Sequence, residues 1–242
     1  MEIKPRDFFK YSFVINIEDE RYENYKKVFK YYRLPLSERS GEPRKENQTP
    51  VQNIRYNHIQ CVKKAKERNY PFVLILEDDT FPCSKLIAHK LFEFIRRLNN
   101  TKNIKNDFDI ILLGRLIIDK ALMEPEEGDY FYRHINEKGL YGGHAYLISG
   151  NFISKFLELS RKMRVADDFE SLRRNKVKIF VPKENLFLQS HFKPSTNFKS
   201  YAKKLIPSTF IGRGVPFESL DKALGYEAKD FLKAINIKKK VE

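Results

Sequence analysis

Five apolar residues, Phe72-Val73-Leu74-Ile75-Leu76, run directly into three acids, Glu77-Asp78-Asp79, and no other stretch constrains this chain as much. The apolar run predicts a strand buried on both faces, the pattern of an inner strand in a parallel sheet. Thr80-Phe81-Pro82 predicts where it stops. Three adjacent carboxylates at a strand end repel one another, and desolvation adds to that cost. A divalent cation relieves both, because hard cations prefer carboxylate oxygen. The carboxyl edge of a parallel sheet is also where open α/β folds place their ligands. On this reading Glu77, Asp78 and Asp79 form a metal site for Mn2+ or Mg2+ that takes a diphosphate. Alternation along a strand sends Glu77 and Asp79 to one face and Asp78 to the other. Asp79 is the expected direct ligand, with Glu77 or Asp78 as the second. The competing reading is an acidic surface turn that caps the following helix.

The rest of the composition narrows the partner without naming it. Against 32 Asp+Glu stand 46 Lys+Arg, a formal charge of +14. Such an excess points to an anionic partner: a nucleotide diphosphate, a phosphorylated glycan, an acidic lipid surface or nucleic acid. A lysine-rich genome would give part of the same signal. With 20 Phe and 13 Tyr there is ample material for a core, which argues against global disorder. Cys61 and Cys83 are the only cysteines and lie in separate expected helices, so neither a zinc site nor a disulfide framework is expected. The first residues lack the apolar centre of a secretory signal, and no run of eighteen apolar residues occurs. The expectation is a soluble, cytoplasmic protein.

Strand and helix signals alternate along the chain. Tyr11 to Ile17 reads as a first strand, followed by a helix through Phe29. Residues 35 to 50 read as an exposed loop, with three prolines, a glycine and many charges. Thr49-Pro50-Val51-Gln52 has the N-cap threonine, N1 proline and N3 glutamine of a capping box. In the helix it opens, Val51, Ile54, His58, Cys61, Val62 and Ala65 share one face. His58 there reads as a satisfied core residue. A second amphipathic helix carries Leu86, Ile87, Leu91, Phe92, Ile95 and Leu98. Asp107 to Gly114 reads as another buried strand, 115 to 139 as an irregular excursion, 142 to 149 as a segment leading into a strand, 152 to 163 as a helix, and 177 to 181 as a last short strand. The alternation predicts an α/β fold with a mainly parallel sheet and helices on both faces. Two regions follow: 1–196 as the α/β domain, and 197–242 as a basic C-terminal helical extension. That extension has ten Lys+Arg against five Asp+Glu, and Phe231, Leu232 and Ile235 could form a short amphipathic face.

Several of these pieces occur together, in order, in one family. Tyr11-Ser12-Phe13-Val14-Ile15-Asn16-Ile17 with Arg21 resembles the opening strand of glycosyltransferase family 25, the lipooligosaccharide galactosyltransferases related to the collagen galactosyltransferases. Asn57-His58 stands where the family usually has Ser-His, and Leu74 to Asp79 resembles its I-L-E-D-D signature. Asp109 to Gly114 is similar to its strand ending in leucine-glycine, Gly143 to Ser149 to its G-x-x-A-Y-L-I-S segment, and Ala166-Asp167-Asp168 to its acid after the helix. The resemblance spans roughly 11 to 191. It implies a GT-A-like (Rossmann-like) fold and inverting transfer of a hexose, galactose foremost, from a nucleotide diphosphate sugar. A UDP-sugar is the expected donor, and a lipooligosaccharide, capsule or lipid-linked glycan the expected acceptor. Asn57 in place of serine, and an unclear match over 35 to 50, bear on acceptor choice more than on fold.

Glycosyl transfer of this kind needs the leaving diphosphate neutralised, which a cation held by strand-end carboxylates does. Inversion also needs a base for the acceptor hydroxyl. Asp167 and Asp168 are the candidates, and a helix N-cap is their structural alternative. Asn16 and Arg21 would meet the ribose or base and the phosphate. Gly142, Gly143 and His144 lie where backbone could approach the donor sugar, and His191 could reach the metal or the diphosphate. Two other readings compete: a metal-dependent nucleotidyltransferase or nuclease on nucleic acid, and a scaffold without catalysis. The first would need further dispersed acids for a second metal, so no nucleic-acid partner is expected. The basic C-terminal end predicts reversible, peripheral association with anionic membranes.

Overall fold

The computed structural model describes residues 2–114, 123–125, 130–134, 143–166 and 168–189. Asp167, Gly142, His191 and the whole 197–242 extension lie outside the described residues. Strand β1 (Ser12–Ile15) opens the fold and leads to helix α1 (Asp19–Tyr31). A short strand β2 (Glu38–Ser40) then precedes α2 (Pro50–Glu67) and the long strand β3 (Phe72–Glu77). After β4 (Thr80–Pro82) come α3 (Ile87–Asn100), α4 (Lys102–Asp107) and β5 (Ile110–Leu112). The hairpin pair β6 (Met123–Pro125) and β7 (Phe131–His134) is followed by β8 (Ala145–Ser149) and α5 (Ile153–Ser160). Helix α6 (Phe169–Arg174) and strands β9 (Ile179–Pro182) and β10 (Phe187–Gln189) complete the described chain.

One eight-stranded sheet has the order β2-β1-β3-β8-β5-β9-β7-β6, and β10 and β4 form a small antiparallel pair. β1 runs parallel to β2 and β3, and β5 parallel to β9, while β8 is inserted antiparallel between β3 and β5. Only β8 and β7 oppose the common direction, so the sheet is mainly parallel in sense. β3 is an inner strand as expected, although just one of its neighbours is parallel.

Both faces are covered. Along β3, Phe72, Leu74 and Leu76 join the core that packs α1 and α3, whereas Val73 and Ile75 join the core that packs α2, α5 and α6. β1, β5 and β8 divide the same way, with Val14, Ile111 and Leu147 on one side and Phe13, Ile110 and Ile148 on the other. An unbroken apolar run is therefore the product of period-2 alternation into two apolar layers.

The capping box of α2 forms as its sequence dictates: Gln52 N–H donates to Thr49 Oγ1 at 3.2 Å, and Thr49 N–H to Gln52 Oε1 at 2.8 Å. Several expectations are corrected. Residues 38–40 of the supposed loop form an edge strand, because backbone pairing to β1 needs no apolar side chains. Thr80 to Pro82 ends β3 only by turning into β4, and β9 is not the last strand, since β10 returns to pair with β4. Leu86, at the N-cap of α3, and Phe92 within the helix are exposed (66% and 54%), and Phe94 takes a core position instead. In the first turns of α2 the buried residues are Asn53 and Asn57, not Val51 and Ile54. They are buried because they hold the loop after β2: Asn57 Oδ1 accepts from Glu42 N–H at 2.8 Å, and the Asn57 and Asn53 amides donate to the Glu42 carbonyl.

Candidate functional site

The acidic turn lies where β3 ends, and the alternation along β3 decides what each acid meets. Glu77 continues the Val73, Ile75 series and so faces α2, where His58 Nε2 lies 3.2 Å from its Oε1. Asp78 faces the α1 side, where it forms an ion pair with Arg21 and accepts from Asn16 Nδ2 at 2.6 Å. Asp79 rejoins Glu77's side: Gln189 Nε2 on β10 lies 3.3 Å from Glu77 Oε2 and 3.2 Å from Asp79 Oδ2. Arg21 Nη2 also stands 3.5 Å from Asp79 Oδ2. The turn is held from below by the His144 carbonyl, which accepts from Glu77 N–H at 2.8 Å and Thr80 Oγ1 at 2.6 Å.

Charge is crowded here at low exposure, with side chains 23%, 7% and 10% accessible for Glu77, Asp78 and Asp79. The three respond differently. For Glu77, burial raises the pKa, but the hydrogen bond with His58 and the electrostatic influence of the His58, His144 and Arg21 side chains outweigh it, leaving the group below the ordinary glutamate value. Burial pushes Asp78 up to about 6, against the opposing pull of Arg21 and Asn16. Asp79 is driven well above the usual aspartate range by burial and then by repulsion from Glu77 and Asp78, which Arg21 and Gln189 only partly offset.

Among the oxygens of the three acids, one stands apart. Both Glu77 oxygens have partners, as do both Asp78 oxygens and Asp79 Oδ2. Asp79 Oδ1 is buried with no hydrogen-bond partner among the described residues. Asn16 Oδ1 is likewise buried and unmatched, and its orientation is fixed because its nitrogen faces two acceptors, Asp78 and the Glu18 carbonyl. Two unmatched acceptors at one sheet edge are an arrangement that an electropositive ligand completes.

Among the described residues no three His, Cys, Asp or Glu side chains converge as a ready-made metal cage. A catalytic Mg2+-type ion does not need one: it is commonly held by one or two carboxylates, waters and the substrate's phosphates. A buried, unpartnered carboxylate oxygen fits that kind of site.

The other expected residues are placed as follows. His144 is buried, its ring Nε2 3.4 Å from the Phe187 carbonyl and pressed on Gly114, where a Cβ would come within 2.1 Å of that nitrogen. Its backbone carbonyl is what holds the acidic turn, through Glu77 N–H and Thr80 Oγ1. Gly143 is buried beside it. Asp168 caps α6: Oδ1 accepts from Ser171 N–H and Oδ2 from Arg164 N–H, both at 3.1 Å. Residue Phe169, next to it, packs its ring on Tyr146 at 6.4 Å. Sequence reasoning missed Gln189 and Tyr146, and it left His58 in the core. His58 is both, buried at 1% exposure and bonded to Glu77. Gly41 brings the β2 loop against the site, since a Cβ there would lie 2.2 Å from the Asn16 carbonyl.

Comparison with known proteins bears on the same segment. Residues 56–170 match the model of glycosyltransferase family 25 (LPS biosynthesis protein). That span includes Asn57-His58, the acidic turn, the 143–149 segment and Asp167-Asp168, but not Asn16, Arg21 or Gln189. No curated protein matches the chain. Among solved structures, a glycosyltransferase involved in glycosylation of the major capsid of PBCV-1 is similar at 10% identity and a TM-score of 0.46, covering 80% of this chain and 98% of that one. A197 from STIV is similar at 13% identity and a TM-score of 0.37, covering 70% and 79%. Mannose-1-phosphate geranyltransferase from Thermus thermophilus is similar at 10% identity and 0.38, covering 74% and 73%. At such identities and scores none of the three says what this chain acts on.

Proposed function

We infer that this chain, a glycosyltransferase of family 25 by its residues 56–170, transfers a hexose from a UDP-sugar to a glycan acceptor at the Glu77-Asp78-Asp79 edge, with inversion and with the help of Mn2+ or Mg2+. The observation that carries this reading is the buried, unpartnered Asp79 Oδ1 beside an acid cluster only partly neutralised by Arg21. Asp79 is the residue to hold the cation. When bound there, a divalent cation supplies charge neutralisation to the departing diphosphate.

The chain's own residues supply the remainder. Arg21 offers a guanidinium suited to a phosphate oxygen, and Asn16 Oδ1 offers an acceptor suited to a hydroxyl or N–H of the nucleoside. As the bond from the sugar's anomeric carbon to the diphosphate breaks, the acceptor oxygen attacks from the opposite face and yields its proton to a base. Asp167 or Asp168 is the proposed base. Asp168 already uses one oxygen to cap α6 and the other to accept from Arg164 N–H, yet a carboxylate has about four acceptor sites, so these bonds leave room for a further one.

The positive excess of the chain and its basic C-terminal end favour peripheral contact with an anionic membrane, where lipid-linked acceptors lie. Each well-placed basic residue adds about 1 kcal/mol there. Among the described residues no helix is long and apolar enough to cross a membrane.

Isothermal titration with UDP and Mn2+ tests the reading. Binding of UDP that strengthens with the cation is expected. No binding of UDP under any divalent cation would favour a scaffold that has lost its donor.

A further inference from the structure

The acids are connected to a buried chain of side chains that nothing in the transfer reaction itself requires. His58 stacks on Tyr146, ring centroids 5.7 Å apart and planes 9° from parallel, and its Nδ1 lies 2.7 Å from the Tyr146 hydroxyl. Its other nitrogen meets Glu77 Oε1 at 3.2 Å. An ionised carboxylate can only accept, so in a neutral His58 the proton sits on Nε2, Nδ1 is the acceptor, and the Tyr146 hydroxyl donates. The direction of the chain is thereby fixed: Tyr146 to His58 to Glu77.

From Glu77 the chain continues. The Gln189 amide is shared between Glu77 Oε2 and Asp79 Oδ2, at 3.3 and 3.2 Å. Its two hydrogens suffice for one bond to each, and both partners are acceptors, so the amide orientation is determined. β8, α2, β3 and β10 each contribute one member, and the chain terminates at the carboxylate whose other oxygen, Oδ1, has no partner. A pair buried only for packing would not need to reach that atom.

We propose that Tyr146, His58 and Gln189 are positioning residues that aim Asp79 Oδ1 at the donor's cation, with Glu77 as the strut between them rather than a ligand. The inference rests on the cation reading above. Partners that orient a ligand in this way typically matter 10–100-fold in metal affinity or activity.

Two measurements on the full chain test it. Nitrogen-15 NMR of the histidine rings should find His58 protonated at Nε2 in the wild type. Titration with Mn2+ in the presence of UDP should then give a dissociation constant about tenfold or more weaker in Gln189→Met, and weaker in Tyr146→Phe, while melting temperatures stay near that of the wild type. Gln189 is half-buried at a strand end, so its variant decides alone if Tyr146→Phe does not fold. A His58 protonated at Nδ1 would overturn the proposal, as would Mn2+ affinities within twofold of wild type in the folded variants. A wild type that binds no divalent cation at all would instead overturn the cation reading, and this inference with it.

Discussion

Asp79 is the residue on which most depends. Its ionised form is penalised by burial and by two neighbouring carboxylates, so removing the charge should not harm the fold. Asp79→Asn is expected to melt at the same temperature as the wild type or higher, and to lose transfer altogether. A variant that keeps most of its turnover and its cation dependence would take the cation away from this residue. Asp168 poses the opposite problem, because it has a structural duty already. Asparagine preserves an N-cap almost as well as aspartate, whereas alanine costs roughly 1 kcal/mol. Asp168→Ala should therefore be less stable than Asp168→Asn. If the base lies in this pair, Asp167→Asn or Asp168→Asn should lower turnover about a hundredfold with donor affinity little changed. Normal transfer by both asparagine variants would make Asp168 a cap and nothing more. That the three acids stand at the end of a buried strand was legible from the sequence, because an unbroken apolar run that stops at consecutive charges marks a strand end. Gln189 was not, because a lone glutamine in a short strand carries no periodic or charge signal, and its partners lie more than a hundred positions away.

At the level of elements, β3, α2 and α5 follow from period and capping, since local sequence specifies them. The antiparallel insertion of β8 between β3 and β5 does not, because an apolar five-residue strand buried on both faces reads the same in either direction. The edge strand β2 also escaped, as its ladder to β1 is made by backbone groups while its charged side chains pair with Asp19 and Arg68. Where elements touch the site, close packing makes specific demands. At Gly114 a Cβ would meet not only the His144 ring but the Phe187 carbonyl at 2.6 Å, and His144 in turn supports Glu77 and Thr80. Gly114→Ala is expected to destabilise by about 1–3 kcal/mol, the usual range for overpacking, and to lower turnover by shifting the acidic turn. Urea denaturation and a transfer assay on the same preparation measure both. An alanine variant as stable and active as the wild type would mean that His144 can move without consequence for the turn.

For the molecule as a whole, the formal charge of +14 is what the proposed attachment to anionic membranes rests on. Sedimentation should show binding to anionic vesicles at low salt, little to neutral vesicles, and release as salt screens the attraction. Binding to neutral vesicles, or binding indifferent to salt, would contradict an electrostatic attachment. The two-faced core and the sheet's mainly parallel sense were expected from the alternation of strand and helix. The choice of sugar and acceptor was not legible, since one or two side chains of a pocket set it. The most direct test of the account is release of nucleoside diphosphate from a panel of UDP-sugars, by wild type and Asp79→Asn, with and without a chelator. Turnover of at least one donor by the wild type, lost with the chelator, restored by Mn2+ and absent in Asp79→Asn, is the predicted result. Undiminished turnover in the chelator, or in Asp79→Asn, would contradict it.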